Sequence, residues 1–258
     1  MKPAKLFRRW QESKGRLLAA LARLPERVRR RGEAEEVHEL RVTVRRLRLL
    51  IRLGAAWYGE ETSSQFRDWS RGISSATDRV RDLDVALEWL VARPQRHREL
   101  EAHLERDRRH AWQAARRRIK PLPASLRRQL ALPEGGRKHE VRLAKRCGRL
   151  VDKLRERCLR DAPRFFRVPL ASQHDFRRLV RRWRYLRELE LPDNRHRKDD
   201  LLQRLLRLQE ALGHRQNLLL ADEVLDALPP YVVPPALLTS LTAEIRRTET
   251  DIRRRRRI

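Results

Sequence analysis

The sequence predicts an all-α fold, built as a tandem pair of four-helix bundles related by pseudo-twofold symmetry. Apolar residues recur at helical intervals along most of the 258 residues, and strand-like alternation is almost absent. Glycine and proline residues separate these stretches into long amphipathic segments. The starts of the segments recur after a shift of about 136 residues, which is typical of an internal repeat.

Four helices are predicted in the first bundle, residues 1–120, with approximate ranges 4–30, 33–56, 61–92 and 95–118. The first is expected to end at Pro25 or Gly32, because proline and glycine interrupt helices. Gly59 marks the end of the second helix, and Gly72 is a candidate bend in the third.

A linker at residues 121–136 follows, with room for one short helix. Five helix-breaking residues indicate it: Pro121, Pro123, Pro133, Gly135 and Gly136. The second bundle, 137–258, repeats the plan with helices near 137–160, 172–190, 196–228 and 235–255. Gly213 lies inside the third of these. Short loops place neighbouring helices antiparallel.

Basic residues dominate the composition and define the class of partner. Lysine and arginine total 63 against 35 aspartate and glutamate residues, which gives a formal net charge of +28. So basic a chain is expected to bind polyanions. Lysine supplies only eight of these cations, and arginine is the residue whose planar fork binds phosphate bidentately. The run Arg253–Arg257 is interpreted as a solvated helix end.

The sequence has two cysteines, Cys147 and Cys158, and neither belongs to a CxxC motif or lies near a histidine cluster. Neither a disulfide framework nor a zinc site is therefore predicted. Two buried thiols in a reducing compartment are expected instead. No apolar run approaches the roughly 18 residues that suggest a membrane span. The sequence therefore predicts a cytoplasmic protein with no membrane partner, no metal and no cofactor.

The clearest repeat is a cationic helix that occurs twice. In the first copy its basic residues are His38, Arg41, Arg45, Arg46 and Arg48. In the second copy the same spacing is kept by His174, Arg177, Arg181, Arg182 and Arg184. A duplicated core would repeat its apolar residues more faithfully than its charges. Because the cations repeat and the apolar residues drift, the pattern predicts an anion site.

On a helical wheel the cations form one narrow arc in each copy. We name them the first stripe (His38, Arg41, Arg45 and Arg48) and the second stripe (His174, Arg177, Arg181 and Arg184). Apolar residues occupy the arc beside each stripe: Val37, Leu40, Val44, Leu47 and Ile51 in the first copy, and Phe176, Val180 and Trp183 in the second. Like charges at this spacing repel, and neither stripe contains a carboxylate. An external polyanion would relieve the repulsion.

Further cations are candidates for the same anion site. Arg52 follows the first stripe, and the helix that opens the second half carries Lys138, Arg142, Lys145 and Arg149 along one face. Arg9 is the counterpart of Lys145 in the first half.

A structural role for the arginines is the alternative, because helical proteins often pair them with carboxylates on neighbouring helices. Arg81, Asp82 and Asp84 are interpreted as structural support, with the two aspartates positioning arginines across the bundle. In the second half, the corresponding stretch keeps only Asn217. No catalytic residue is predicted.

Taken together, four motifs resemble the CHAD domain family, an all-helical family. They are the HxxRVxxRRLR form at 38–48, the RDLDV form at 81–85, the HxxRxxxRRxRYLxEL form at 174–189 and the LQEALGHRQNL stretch at 208–218. The resemblance implies two four-helix bundles related by a pseudo-twofold axis, with basic surfaces facing a shared cavity that binds inorganic polyphosphate. It also implies association with polyphosphate granules.

Catalysis in such proteins is associated with a linked CYTH-type triphosphatase, whose ExExK motif is absent here. Glu188-Leu189-Glu190 is followed by Leu191-Pro192 instead of the lysine. The chain therefore resembles a stand-alone binding domain, with a triphosphatase acting in trans as an alternative partner.

Two other functions remain as alternatives. The charge guarantees nonspecific nucleic-acid binding at low salt, although no helix-turn-helix, zinc-finger or RNA-binding sheet pattern is visible. A phosphotransferase or polyphosphatase would require a P-loop, a metal-binding carboxylate cluster or a nucleophile beside a base. The leading prediction is therefore a polyphosphate-binding protein without catalytic activity.

Overall fold

The structure, a computed structural model, describes residues 2–132 and 136–255. Within these ranges the chain is all-α and contains no strand. The helices are α1 (Pro3–Leu21), α2 (Leu24–Arg30), α3 (Ala34–Leu53), α4 (Ala55–Val91), α5 (Arg98–Arg118), α6 (Ala124–Ala131), α7 (Arg137–Asp161), α8 (Leu170–Glu190), α9 (Asp200–Asp226) and α10 (Pro235–Arg255). Short 3-10 helices at Ala162–Arg167 and Asp193–Lys198 precede α8 and α9. Pro133, Gly135, Arg256 and Arg257, which figure in the predicted linker and tail, lie outside the described ranges.

The chain divides into two compact units, each described by itself. The α7–α8 unit consists of Met1–Glu12, Glu134–Gln216 and Ile245–Ile258, and the α3–α4 unit consists of Ser13–Pro133 and Asn217–Glu244. Each unit thus draws residues from both of the predicted halves, 1–120 and 137–258. α1, α9 and α10 each contribute residues to both units.

Most predicted helices are present, and the first one is divided. The chain turns at Ala22 and Arg23, and Pro25 lies in the first turn of α2. Pro25 therefore begins a helix instead of ending one, because proline lacks only an N–H that has no partner in a first turn. The second predicted helix ends at Leu53, before Gly59. Gly59 instead interrupts α4, with φ 72° and ψ 167°, whereas Gly72 keeps helical geometry. The predicted bend at Gly72 is wrong.

The α3–α4 unit is built on the apolar arc beside the first stripe. All five predicted core residues of α3 are buried: Val37, Leu40, Val44, Leu47 and Ile51. These residues lie on α3 next to the cations. Their burial fixes the rotation of α3 about its own axis, and it therefore also fixes the side of the helix on which the stripe lies. α4 packs against both α3 and α5, and Leu83 and Leu90 are fully buried.

A glycine joins α2 to α3 at a point where no side chain fits. Gly32 has φ +67°, and a Cβ there would overlap the indole ring of Trp112 on α5. Trp112 Nε1 donates a hydrogen bond to the carbonyl oxygen of Val28 at 3.1 Å. Only glycine combines this left-handed conformation with such a close approach. This contact packs the end of α2 against α5.

In the α7–α8 unit, the apolar faces of α7 and α8 pack together. Leu143 and Leu154 of α7 are buried, as are Phe176, Val180 and Trp183 of α8. The thiols of Cys147 and Cys158 are also buried and free, as the sequence predicts, and burial raises the pKa of each to about 12. Along the described ranges, no helix is long and apolar enough to cross a membrane.

Candidate anion-binding site

The first stripe lies on α3 and faces α4. Its four members are half-buried. α3 and α4 are antiparallel, so Arg48 contacts Ser70 and Ser74, whereas the earlier Arg41 contacts the later residues Thr77 and Asp78. Arg41 and Arg48 are therefore held against a neighbouring helix. A solvated surface would leave their guanidinium groups without such fixed contacts.

Arg48 is held by hydroxyl groups. Its Nε donates to Ser70 Oγ at 2.7 Å, and its Nη2 donates to Ser74 Oγ at 3.1 Å. Burial, followed by the nearby guanidinium groups of Arg45 and Arg41, lowers the pKa of Arg48. Arginine nevertheless stays charged at any ordinary pH. No carboxylate in the described part of the chain lies within ion-pairing distance of Arg48.

Arg41 is held by both hydroxyl and carboxylate groups. Its Nη1 contacts the carbonyl oxygen of Ser74 at 3.1 Å, Thr77 Oγ1 at 2.9 Å and Asp78 Oδ1 at 2.8 Å. The side chain of Arg41 is 18% exposed, whereas that of Asp78 is 57% exposed, so solvent screens this ion pair. The contacts fix one terminal nitrogen of Arg41. Its Nε and Nη2 have no acceptor among residues 2–132 and 136–255.

The pKa of the histidine at the start of each stripe is lowered, which favours the neutral imidazole. Burial lowers the pKa of His38, and the positive charges of Arg81 and Arg45 lower it further. Burial also lowers the pKa of His174, followed by the charges of Arg178 and Arg177, although a hydrogen bond with Gln216 opposes the shift. A bound anion would favour the imidazolium form of both rings.

The predicted supporting residues hold partners other than the stripe. The side chain of Asp84 is 1% exposed, and its Oδ1 accepts from Arg108 Nε on α5 at 2.5 Å. Arg108 Nη2 also donates to the carbonyl oxygen of Gly32 at 2.5 Å. Arg81 pairs with Glu88 of its own helix at 3.0 Å. Asp78, one turn before Asp82, is a carboxylate that contacts Arg41 of the first stripe.

Asp82 interacts electrostatically with Arg41 of the first stripe. Burial raises the pKa of Asp82, while the charge of Arg41 lowers it. Asn217 is half-buried in α9, within the α3–α4 unit. Gln216, its neighbour in the sequence, is the residue of that stretch that bonds to a stripe side chain, His174.

The second stripe lies on α8, and the charge of one of its arginines is balanced by a carboxylate of the same helix. Arg184 Nη1 donates to Glu188 Oε1 at 3.0 Å, and the guanidinium stacks 4.5 Å from the ring centroid of Tyr185. Its side chain is only 11% exposed. Arg177, Arg181 and Arg182 are half-buried on the same helix. The two stripes therefore share a sequence pattern but differ in their immediate partners.

The remaining candidates divide between exposed and anchored cations. Lys138, Arg142, Lys145 and Arg149 are exposed along α7, and no carboxylate of the described ranges pairs with them. Arg52 is likewise exposed, and Arg46 is half-buried. Arg9 instead donates through Nη1 to the carbonyl oxygen of Glu190 at 2.6 Å, so it caps the end of α8.

Besides Asp78, three hydroxyl residues at the first stripe were missed by the sequence analysis: Ser70, Ser74 and Thr77. Their spacing of i, i+4 and i+7 places them on one face of α4, which is the signal that could have identified them. Arg108, the partner of Asp84, was also missed. In the described ranges, no group of three or more histidine, cysteine or acidic residues could hold a metal ion.

Comparisons with known proteins agree on the family. The CHAD domain family model matches residues 15–226. The crystal structure of the CHAD domain from the plant Ricinus communis superimposes with a TM-score of 0.60 at 21% sequence identity, covering 99% of this chain and 90% of that one. No curated protein matches the sequence. The family model covers most of the chain, so this protein belongs to the CHAD domain family.

Proposed function

We propose that this protein binds inorganic polyphosphate through its arginine stripes and does not catalyse a reaction on it. The family to which the chain belongs is known to bind polyphosphate. A linear phosphate chain carries a negative charge on every repeating unit and has no bases. Fixed cations are therefore sufficient to recognise it, and an aromatic stacking platform is unnecessary.

The observation that carries this proposal is the crowding of cations around Arg48. It lies half-buried near Arg41, Arg45 and Arg71, whose charges all disfavour its own charge. The neighbouring α4 supplies neutral hydroxyl groups to Arg48, with no carboxylate at ion-pairing distance among the described residues. A charge-assisted hydrogen bond to a phosphate would offset both the burial and the repulsion.

The sequence repeat extends the proposal to the second stripe. The predicted pseudo-twofold relation between two four-helix halves would bring both stripes to one groove, and this arrangement remains a prediction from the repeat. Association with polyphosphate granules and with a triphosphatase acting in trans remains a prediction from the family resemblance.

The test is a titration of wild-type protein with long-chain polyphosphate and with single-stranded DNA of matched charge, over a series of salt concentrations. Diffuse electrostatic binding weakens steeply with salt for any polyanion, by about one order of magnitude or more between low and physiological salt. We expect polyphosphate to remain bound at physiological salt while DNA dissociates. Equal affinities across the series would instead identify a general polyanion binder.

Affinity for polyphosphate is expected to increase as pH falls. The lowered pKa values of His38 and His174 keep both rings neutral at neutral pH, and a bound polyanion raises those values, so binding takes up protons. Dissociation constants measured between about pH 8 and about pH 5.5 should decrease toward acid. The double variant His38→Gln/His174→Gln should have a flatter profile. A flat wild-type profile would contradict the prediction.

A further inference from the structure

Three hydroxyl groups of α4 form a ladder along the first stripe. We define the hydroxyl ladder as Ser70, Ser74 and Thr77. Ser70 and Thr77 are fully buried, although serine and threonine are only moderate helix formers. Ser70 and Ser74 accept hydrogen bonds from Arg48, and Thr77 accepts one from Arg41. The ladder therefore contacts two arginines that are two helical turns apart on α3.

The polarity of these hydrogen bonds is fixed by the α4 backbone. Ser70 Oγ donates its hydrogen to the carbonyl oxygen of Arg67 at 2.9 Å, and Ser74 Oγ donates to that of Ser70 at 3.0 Å. Thr77 Oγ1 donates to the carbonyl oxygen of Ile73 at 2.8 Å. A hydroxyl group has one hydrogen and two lone pairs. Each ladder oxygen therefore faces the stripe as an acceptor only.

Such an acceptor positions a guanidinium without cancelling its charge. A carboxylate in the place of Ser70 or Ser74 would hold Arg48 equally well but would compete with an incoming phosphate. With the ladder in place, Nη1 of Arg48 has no protein acceptor in the described part of the chain and remains available as a donor. Fixing the side chain in advance also reduces the entropy lost on binding.

The second stripe has no equivalent ladder in the sequence. α9, the counterpart of α4 in the repeat, contains no serine or threonine. On α8 itself, Arg184 is paired with a carboxylate, Glu188. Arg48 of the first stripe is therefore positioned by hydroxyl groups without being neutralised, in contrast to Arg184 of the second stripe.

We propose that Ser70, Ser74 and Thr77 are positioning residues that make the first stripe selective for polyphosphate over nucleic acid. The inference rests on the proposed function. Arginines held at a fixed separation match a chain with closely and regularly spaced charges, whereas diffuse attraction depends on net charge and not on position.

The test is the triple variant Ser70→Ala/Ser74→Ala/Thr77→Val, which removes three acceptors and leaves the net charge unchanged. We expect its affinity for long-chain polyphosphate to fall by roughly tenfold, since hydrogen bonds that involve a charged group are the stronger kind. Its affinity for single-stranded DNA and the salt dependence of that affinity should not change. The matched control is Thr239→Val/Thr250→Val. These hydroxyls also bond to their own helix but accept from no arginine in the described ranges.

A second variant separates positioning from folding. Ser74→Asp places a carboxylate beside Arg48, so it should maintain or raise the melting temperature while weakening polyphosphate binding several-fold. If wild-type protein binds polyphosphate and both ladder variants bind it equally well, the positioning role is wrong and the proposed function stands. If wild-type protein shows no preference for polyphosphate, both proposals fail.

Discussion

Changing Arg41, Arg45, Arg177 and Arg181 together to alanine is expected to abolish selective polyphosphate binding. Charge-assisted hydrogen bonds from a defined site should make the loss about 3 kcal/mol or more, which is roughly a hundredfold weakening or greater. Affinity for single-stranded DNA should change little, because the variant still carries most of the chain's 63 cations. Parallel titrations with both polymers at physiological salt measure the difference.

The control for this variant removes the same charge from elsewhere on the chain. Arg98, Arg106, Arg117 and Arg128 are exposed. Their side chains have no hydrogen bond or ion pair among the described residues. Their replacement by alanine should leave polyphosphate affinity close to that of wild type. Equal losses in the two quadruple variants would mean that net charge, and not the stripes, governs binding.

Arg108→Ala is expected to cause the largest loss of stability. It leaves the carboxylate of Asp84, which is 1% exposed, without its counter-charge. Asp84 Oδ2 already has no hydrogen-bond partner among the described residues, so no second donor can compensate. Removing one partner of a buried ion pair typically costs about 3 to 5 kcal/mol. Urea denaturation at neutral pH measures the change in free energy of unfolding.

The pH dependence of the Arg108→Ala variant provides a further check. Burial raises the pKa of Asp84 even with Arg108 present. Without Arg108, the folded-state pKa rises further above the unfolded value, and the folded state then holds the proton more tightly. The stability lost at neutral pH should therefore be partly recovered as pH falls toward that pKa. The wild-type protein should show a smaller change.

Two further variants distinguish the buried pair from an ordinary surface pair. Adding Asp84→Asn to Arg108→Ala removes the stranded charge and should restore part of the stability. Arg109→Ala, whose exposed side chain lies 3.8 Å from Glu105, should change stability by less than about 0.5 kcal/mol. A loss for Arg109→Ala that equals the loss for Arg108→Ala would contradict the assignment.

The sequence predicts the helices well because their apolar periodicity and their breaking residues are local signals. α10 spans the range 235–255 that the sequence predicts, and the short linker helix is α6. The wrong helix predictions concern proline and glycine, whose effect on a helix depends on their position in it. Pro25 opens a helix because it lies in a first turn, and Gly72 does not bend α4 because glycine permits a kink without requiring one.

The candidate site is less predictable because its partners depend on helix register. The sequence identifies the cations of the first stripe and the apolar arc beside them. It does not say which residues of α4 lie opposite, since that depends on how the antiparallel pair is aligned. Hence Ser70 and Asp78 were missed as partners of the stripe, and the arginine that contacts Asp84, Arg108, was not identified.

The use of both Nε and Nη2 by Arg48 has an evolutionary consequence. The exposed stripe of α7 mixes the two basic residues, with Lys138 and Lys145 beside Arg142 and Arg149. Exchange between arginine and lysine is tolerable there, because the contribution of these side chains depends only on their positive charge. A lysine in place of Arg48 would lack the planar guanidinium group that donates to both Ser70 and Ser74. Purifying selection should therefore retain arginine on α3 even in lineages whose genomes shift toward lysine.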